Sequence, residues 1–195
     1  MTEHPPEGAT PLTPDEADDL LPGHLRTRAE LNLWEQENIL AAALWTQRTR
    51  TSALDEGRIR ELHRRMFDRT WRWAGTYRQS DKNIGVDWST IAVEVRSLVD
   101  DGSHWIRAGV YDIDEAAIRL HHRLVHVHPF PDGNGRHARL WCDLLLGQNG
   151  RPPIAWQSDQ LGTAGEARSG YIEALRWADG GNLQPLLGLL LAGRG

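Results

Sequence analysis

Cysteine is nearly absent: Cys142 stands alone in a chain of 195 residues. That excludes an intrachain disulfide framework and points to a cytoplasmic protein. Long apolar runs are missing as well. The longest, near Leu186 to Ala192, falls far short of the roughly 20 residues that a membrane-spanning helix needs, and the N-terminus has no basic-then-apolar leader. There is no excess of positive charge either. The net charge is -5 and the arginines scatter without forming a basic stripe, which argues against a general nucleic-acid binder. No internal repeat is present, and low complexity is confined to the N-terminus.

What is there suits one domain with a sizeable core. Residues 1–24 read as a mobile N-terminal arm, rich in proline, threonine and acid over the first 20. Residues 25–195 form the domain. Apolar spacing and caps predict helices at about 27–48, 52–70, 88–107, 113–128, 135–146, 163–178 and 182–192. Ile59, Leu62, Met66 and Phe67 mark a buried stripe on the second. A turn-prone stretch, Arg78-Gln79-Ser80-Asp81-Lys82-Asn83, predicts a short β-hairpin across 75–91. The expected fold is an all-α bundle with that one hairpin. The nine tryptophans read as packing, with ligand stacking by Trp71 or Trp73 a weaker reading.

The chemistry is concentrated between His128 and Arg139, which read His-Pro-Phe-Pro-Asp-Gly-Asn-Gly-Arg-His-Ala-Arg. Ala117, Leu120, Leu124 and Val127 recur at helical spacing after a possible Asp112/Glu115 capping box, and Pro129 ends that helix, so His128 falls at a helix-to-loop junction. Gly133, Asn134 and Gly135 turn tightly and open a second helix carrying Ala138, Trp141, Leu144 and Leu145. A helix N-terminus offers unpaired N–H donors and the positive end of a dipole, which suits phosphate. Arg136 and Arg139, three apart, share a face and can clamp the outer phosphates of a nucleotide. Singly, each feature has a plain reading: a turn, a solvated face, a helix-terminal histidine. Their joint register across one helix-loop-helix junction is more than a structural turn requires.

This segment resembles the Fic/Doc signature His-x-Phe-x-Asp/Glu-Gly-Asn-Gly-Arg-x-x-Arg at every defined position. The resemblance extends over roughly 25–192: Trp73 to Arg78 is similar to the family's entry to a target-binding flap, and Tyr171 to Leu175 to its C-terminal helix. Thr27 to Asn32, Trp34-Glu35-Gln36 and Asn83 to Trp88 resemble the subgroup called mobile mystery protein B. The resemblance implies a Fic-fold protein adenylyltransferase that moves AMP from ATP, its co-substrate, to a tyrosine, threonine or serine hydroxyl of a target protein, releasing pyrophosphate. In that reading His128 is the base and Asp132 holds Mg²⁺. Asn134 and the amides of Gly133 and Gly135 stabilise the α-phosphate. Arg136 grips the leaving pyrophosphate, and Arg139 the γ-phosphate. Phe130 anchors the loop. The flap, with Tyr77, Arg78, Asn83 and Ile84 as its contact residues, lines up the target by strand addition. Gly135 stands where the phosphotransferase branch of the family has lysine, which favours AMP transfer.

Many family members are restrained by a helix carrying Ser/Thr-x-x-x-Glu-Gly/Asn, whose glutamate pairs with the motif's second arginine. Here the matches are partial. Thr27 to Asn32 is one residue short between threonine and Glu30, Glu37-Asn38 has Leu33 where a hydroxyl is expected, and Ser169 to Glu173 ends in Ala174. Glu30 ranks first and Glu37 next, with a solvated helix face as the plain alternative for both. A separate antitoxin or regulator is the other source of restraint. Three rival readings stand beside AMP transfer: transfer of another nucleotide or phosphate moiety, a zinc hydrolase, and a non-catalytic nucleotide-sensing partner. The hydrolase would be built on His121, His122, His126, His128 and His137, although Arg123 occupies the place of its expected glutamate.

Overall fold

Apolar side chains recur every three to four residues along most of the chain, and helices are the structure that gathers them onto one face. A computed structural model describes residues 10–156, 165–192 and 194. The helices are α1 (Pro14–Asp18), α2 (Arg28–Thr46), α3 (Glu56–Phe67), α4 (Ile91–Ala108, entered through a 3-10 turn at Trp88–Thr90), α5 (Ile113–Val127), α6 (Asn134–Gln148), α7 (Glu166–Asp179) and α8 (Gln184–Leu191). Residues 1–9 of the predicted arm, and the predicted start of α7 at 163, lie outside the described residues. Among the described residues no helix is long and apolar enough to cross a membrane.

α5 and α6 form the central pair. α4 and α8 pack on α5, α3 bridges α6 and α4, and α2 lies along α3. The α3 stripe of Ile59, Leu62, Met66 and Phe67 is buried, as are Leu120 and Leu124 of α5 and Ala138, Trp141 and Leu145 of α6. Each such large side chain contributes about 1.5–3 kcal/mol on burial. Local chemistry sets the helix starts. Thr27 and Glu30 form a reciprocal capping box at α2, and Asp55 caps α3. At α5 Asp112 accepts from the Asp114 amide, while Glu115 turns to Arg119; the expected box with Glu115 does not form.

The β-hairpin is a correction: among the described residues there is no strand, only an isolated antiparallel bridge between Leu20 and Trp71. The physical reason is Arg78. A hairpin needs its carbonyls for the opposite strand, but here the buried Arg78 guanidinium takes them, donating to the carbonyls of Ser80, Val86 and His128. The Arg78 amide reaches across to the Pro129 carbonyl. Asp81 accepts from the Trp88 amide instead of leaving it for a strand partner. The segment is therefore a loop wound around one cation and tied to the motif.

Candidate active site

Two helix ends and the loop between them carry the site. His128 closes α5 in the left-handed conformation (φ 52°), and it is the only non-glycine residue with positive φ among those described. Such a conformation is strained for a side-chain-bearing residue; it is held here by the Arg78 Nε donor, 2.7 Å from the His128 carbonyl. The ring is buried. Burial and the Arg78 cation pull its pKa down to about 4, with Asp132 opposing and Lys82 assisting, so the imidazole is neutral at pH 7 and able to accept a proton. Its Nε2 lies 2.7 Å from the Thr10 hydroxyl.

Gly133 starts α6 with φ 77°, and a Cβ there would come within 2.5 Å of the Phe67 ring, so only glycine fits. No side chain caps this helix. Its first amides are accordingly left for a ligand. A Cβ on Gly135 would meet nothing closer than Arg139 at 3.9 Å, which leaves clear space in front of the helix end. Asn134 is buried and clamps the loop: its Oδ1 accepts from the Phe130 amide at 2.9 Å and its Nδ2 donates to the Phe130 carbonyl at 2.7 Å. One amide hydrogen of Asn134 is not used by this clamp.

Arg136 and Arg139 differ in what they already hold. Burial alone would lower the Arg136 pKa, but the Glu35 and Asp132 carboxylates outweigh it and raise it. Its Nη1 lies 2.5 Å from Glu35 Oε2, and its Nη2 lies 3.6 Å from Asp132 Oδ2. Arg139 is held down by burial and the neighbouring Arg136 charge, with the Tyr171 phenol as its hydrogen-bond partner. Asp132 keeps a partly exposed carboxylate at the loop. One such carboxylate, completed by substrate phosphates, is a fit for Mg²⁺.

Glu35 is the residue the sequence reading missed. It lies on the same face of α2 as Leu31, Asn38 and Ala42, and all four are buried. A carboxylate on an apolar face needs partners to be tolerated, and Glu35 has two: Arg136, and Trp71 Nε1 at 2.8 Å. The run Leu31, Glu35, Asn38, Ala42 was the signal available. Glu30 is instead exposed and bound to the backbone of its own helix start, which lowers its pKa, and Glu37 is exposed. Of the residues expected to form a flap, Asn83 and Ile84 are exposed. Arg78 is the buried hub, and Tyr77 is half-buried beside Phe130, its phenol pushed up by burial and by Glu56. His63 was also missed: its Nδ1 accepts from the Gly75 amide and its Nε2 donates to the Asp132 carbonyl, each at 3.0 Å, while its ring stacks on Phe130. It joins the backbone at Gly75 to the motif loop.

The histidine cluster disperses. His121 meets Tyr171, His122 and His126 share Asp179 Oδ1, and His137 meets the Ile59 carbonyl. Among the described residues no group of three or more His, Cys, Asp or Glu is arranged to hold a metal ion. Burial instead pulls two of these rings down, His121 to about 3 and His137 to about 4, alongside His128 at about 4. The unfolded chain therefore binds more protons below about pH 6.5, and stability falls as pH falls toward 4. Asp143, raised by burial to about 6, takes up a proton in the folded state below that value and offsets one of the three. Urea midpoints should hold steady from pH 8 to 7 and drop steeply between 6 and 4; a flat profile there would show these rings to be solvated.

Comparison with known proteins bears on the family and the fold. The Fic/DOC family model matches residues 53–146. "Protein adenylyltransferase Fic" of Drosophila virilis is 31% identical over 134 residues, 66% of this chain and 26% of that protein. The chain thus spans about a quarter of the length of such curated relatives. Among solved structures, Fic-1 (residues 134–508) from C. elegans has a TM-score of 0.65 and 26% identity, covering 89% of this chain and 51% of that one. BepC from Bartonella tribocorum, with bound AMPPNP, has a TM-score of 0.68 at 20% identity, covering 89% and 94%, which speaks to the fold. The chain belongs to the Fic/Doc family.

Proposed function

We propose that this chain is a Mg²⁺-dependent adenylyltransferase that moves AMP from ATP to a side-chain hydroxyl of a protein, releasing pyrophosphate. The observation that carries the reading is the neutral, buried His128 imidazole at one end of a loop whose other end is the uncapped N-terminus of α6. The α6 amides would hold the α-phosphate oxygens, where charge builds during transfer. Arg136 would bind the leaving pyrophosphate and Arg139 the γ-phosphate. His128 Nε2 would take the proton of the attacking hydroxyl. Bound Mg²⁺, held through Asp132, would offset charge across the phosphates. Asn134, His63 and Arg78 keep the loop in shape.

Glu35 supplies a restraint within the chain. Its carboxylate occupies the Arg136 guanidinium that pyrophosphate needs, a variant of the family arrangement expected above, with the first motif arginine held in place of the second. Glu35, ahead of Glu30 and Glu37, is thus our choice for the restraining residue. The curated relatives are named adenylyltransferases, and Gly135 leaves the phosphate path open. The test places label in either the α- or the γ-phosphate of ATP and follows its transfer to lysate protein. AMP transfer moves the first and not the second; transfer of the γ-label would identify a phosphotransferase and overturn the proposal.

A further inference from the structure

Thr10 is not a loose neighbour of His128. The segment from Thr10 to Leu21 is strapped across the chain between Thr70 and Lys82. Lys82, the chain's single lysine, donates to the Pro11 carbonyl and pairs with Glu16. Trp73 Nε1 donates to the Glu16 carbonyl at 3.0 Å. Asp19 accepts from both the backbone and the side chain of Arg72, each at 3.0 Å, and the Leu21 amide donates to the Thr70 carbonyl at 2.9 Å. Leu12 and Leu20 pack on the core. Thr13 and Glu16 close a capping box that turns the chain into α1. These contacts deliver one aliphatic hydroxyl, half-buried, to the ring nitrogen that a transferase base would present to its acceptor.

We infer that Thr10 is an acceptor in cis: the chain adenylylates its own Thr10 hydroxyl. The inference rests on the AMP-transfer reading and adds to it the first acceptor atom. In the step, Thr10 Oγ1 attacks the α-phosphorus of ATP and forms the new O–P bond. The bond from the α-phosphorus to the bridging oxygen of the β-phosphate breaks, and pyrophosphate leaves. The hydroxyl proton passes to His128 Nε2. No oxidant or further reactant is needed. A tethered acceptor already within hydrogen-bond reach of the base reacts as a unimolecular partner, so its rate per chain does not depend on chain concentration. A hydroxyl is required at position 10, whereas the methyl group of threonine is not.

The test incubates the full chain, in wild-type form and as Glu35→Gln, with Mg²⁺ and ATP, and maps AMP by tandem mass spectrometry; the same preparations are given lysate protein in parallel. The expected result is AMP on Thr10, at a rate per chain unchanged on dilution, retained in Thr10→Ser and lost in Thr10→Val. AMP on lysate protein or elsewhere in the chain, with Thr10 bare, overturns the inference and leaves AMP transfer standing. A rate that falls on dilution overturns the in-cis route. No AMP on any protein from either form removes both the inference and the function on which it rests.

Discussion

Replacing His128 with alanine should lower AMP transfer by about 10²–10⁴-fold, the usual contribution of a positioned general base. The chain should stay folded. The contact that fixes the left-handed turn is made by the His128 backbone carbonyl with Arg78, which alanine retains, and a single side-chain-bearing residue in that conformation costs only about 1–2 kcal/mol. Initial rates with α-labelled ATP, read beside a thermal melt, separate lost chemistry from lost structure. Equal label on both forms would mean that the buried imidazole takes no proton, and the mechanism would need another base.

The opposite change is expected at Glu35. Glu35→Gln keeps an acceptor for Trp71 Nε1 but removes the charge that holds Arg136. A hydrogen bond to a charged group is worth about 1.5–3 kcal/mol, so freeing Arg136 should raise AMP transfer roughly ten- to hundredfold. Glu35→Gly should release it too, while leaving the Trp71 indole without its partner and lowering stability by about 1–3 kcal/mol. The two variants together distinguish release from loosening: a gain in Glu35→Gly without one in Glu35→Gln would point to altered α2 packing instead of the lost charge. Glu30→Gly, which removes the glutamate half of the α2 capping box while the Thr27 hydroxyl still caps the backbone, should leave the rate where it was and lower the melting temperature.

Helices with strong apolar spacing were legible in the sequence to within a few residues, α5 and α6 above all, because Leu120, Leu124, Ala138 and Trp141 obey one period and Pro129 and Gly133 punctuate it. Side-chain rivals of backbone pairing were not legible. The turn residues between Arg78 and Asn83 read as a hairpin because nothing local announces that one guanidinium will consume the carbonyls of Ser80, Val86 and His128. The short α1 was hidden in an acid- and proline-rich stretch whose docking depends on Trp73, Lys82 and Arg72, all more than fifty residues away. Glu35 was passed over for a related reason. Motif spacing drew attention to Glu30, whereas burial of a carboxylate on the α2 face toward Arg136 is a tertiary fact. The helix-loop-helix junction from His128 to Arg139 was readable because its parts lie within one stretch, where glycine conformation and helix polarity are local properties.

In the proposed complex the triphosphate lies on the amides at the start of α6, with its α-phosphorus facing His128 Nε2. A crystal structure of the Glu35→Gln chain with Mg²⁺ and a non-hydrolysable ATP analogue tests it most directly. The expected result is phosphate oxygens within hydrogen-bond distance of the Asn134 to Arg136 amides, Arg136 turned from α2 onto the β-phosphate, and the cation on Asp132. A nucleotide seated elsewhere, or an empty α6 N-terminus at saturating analogue, would contradict it.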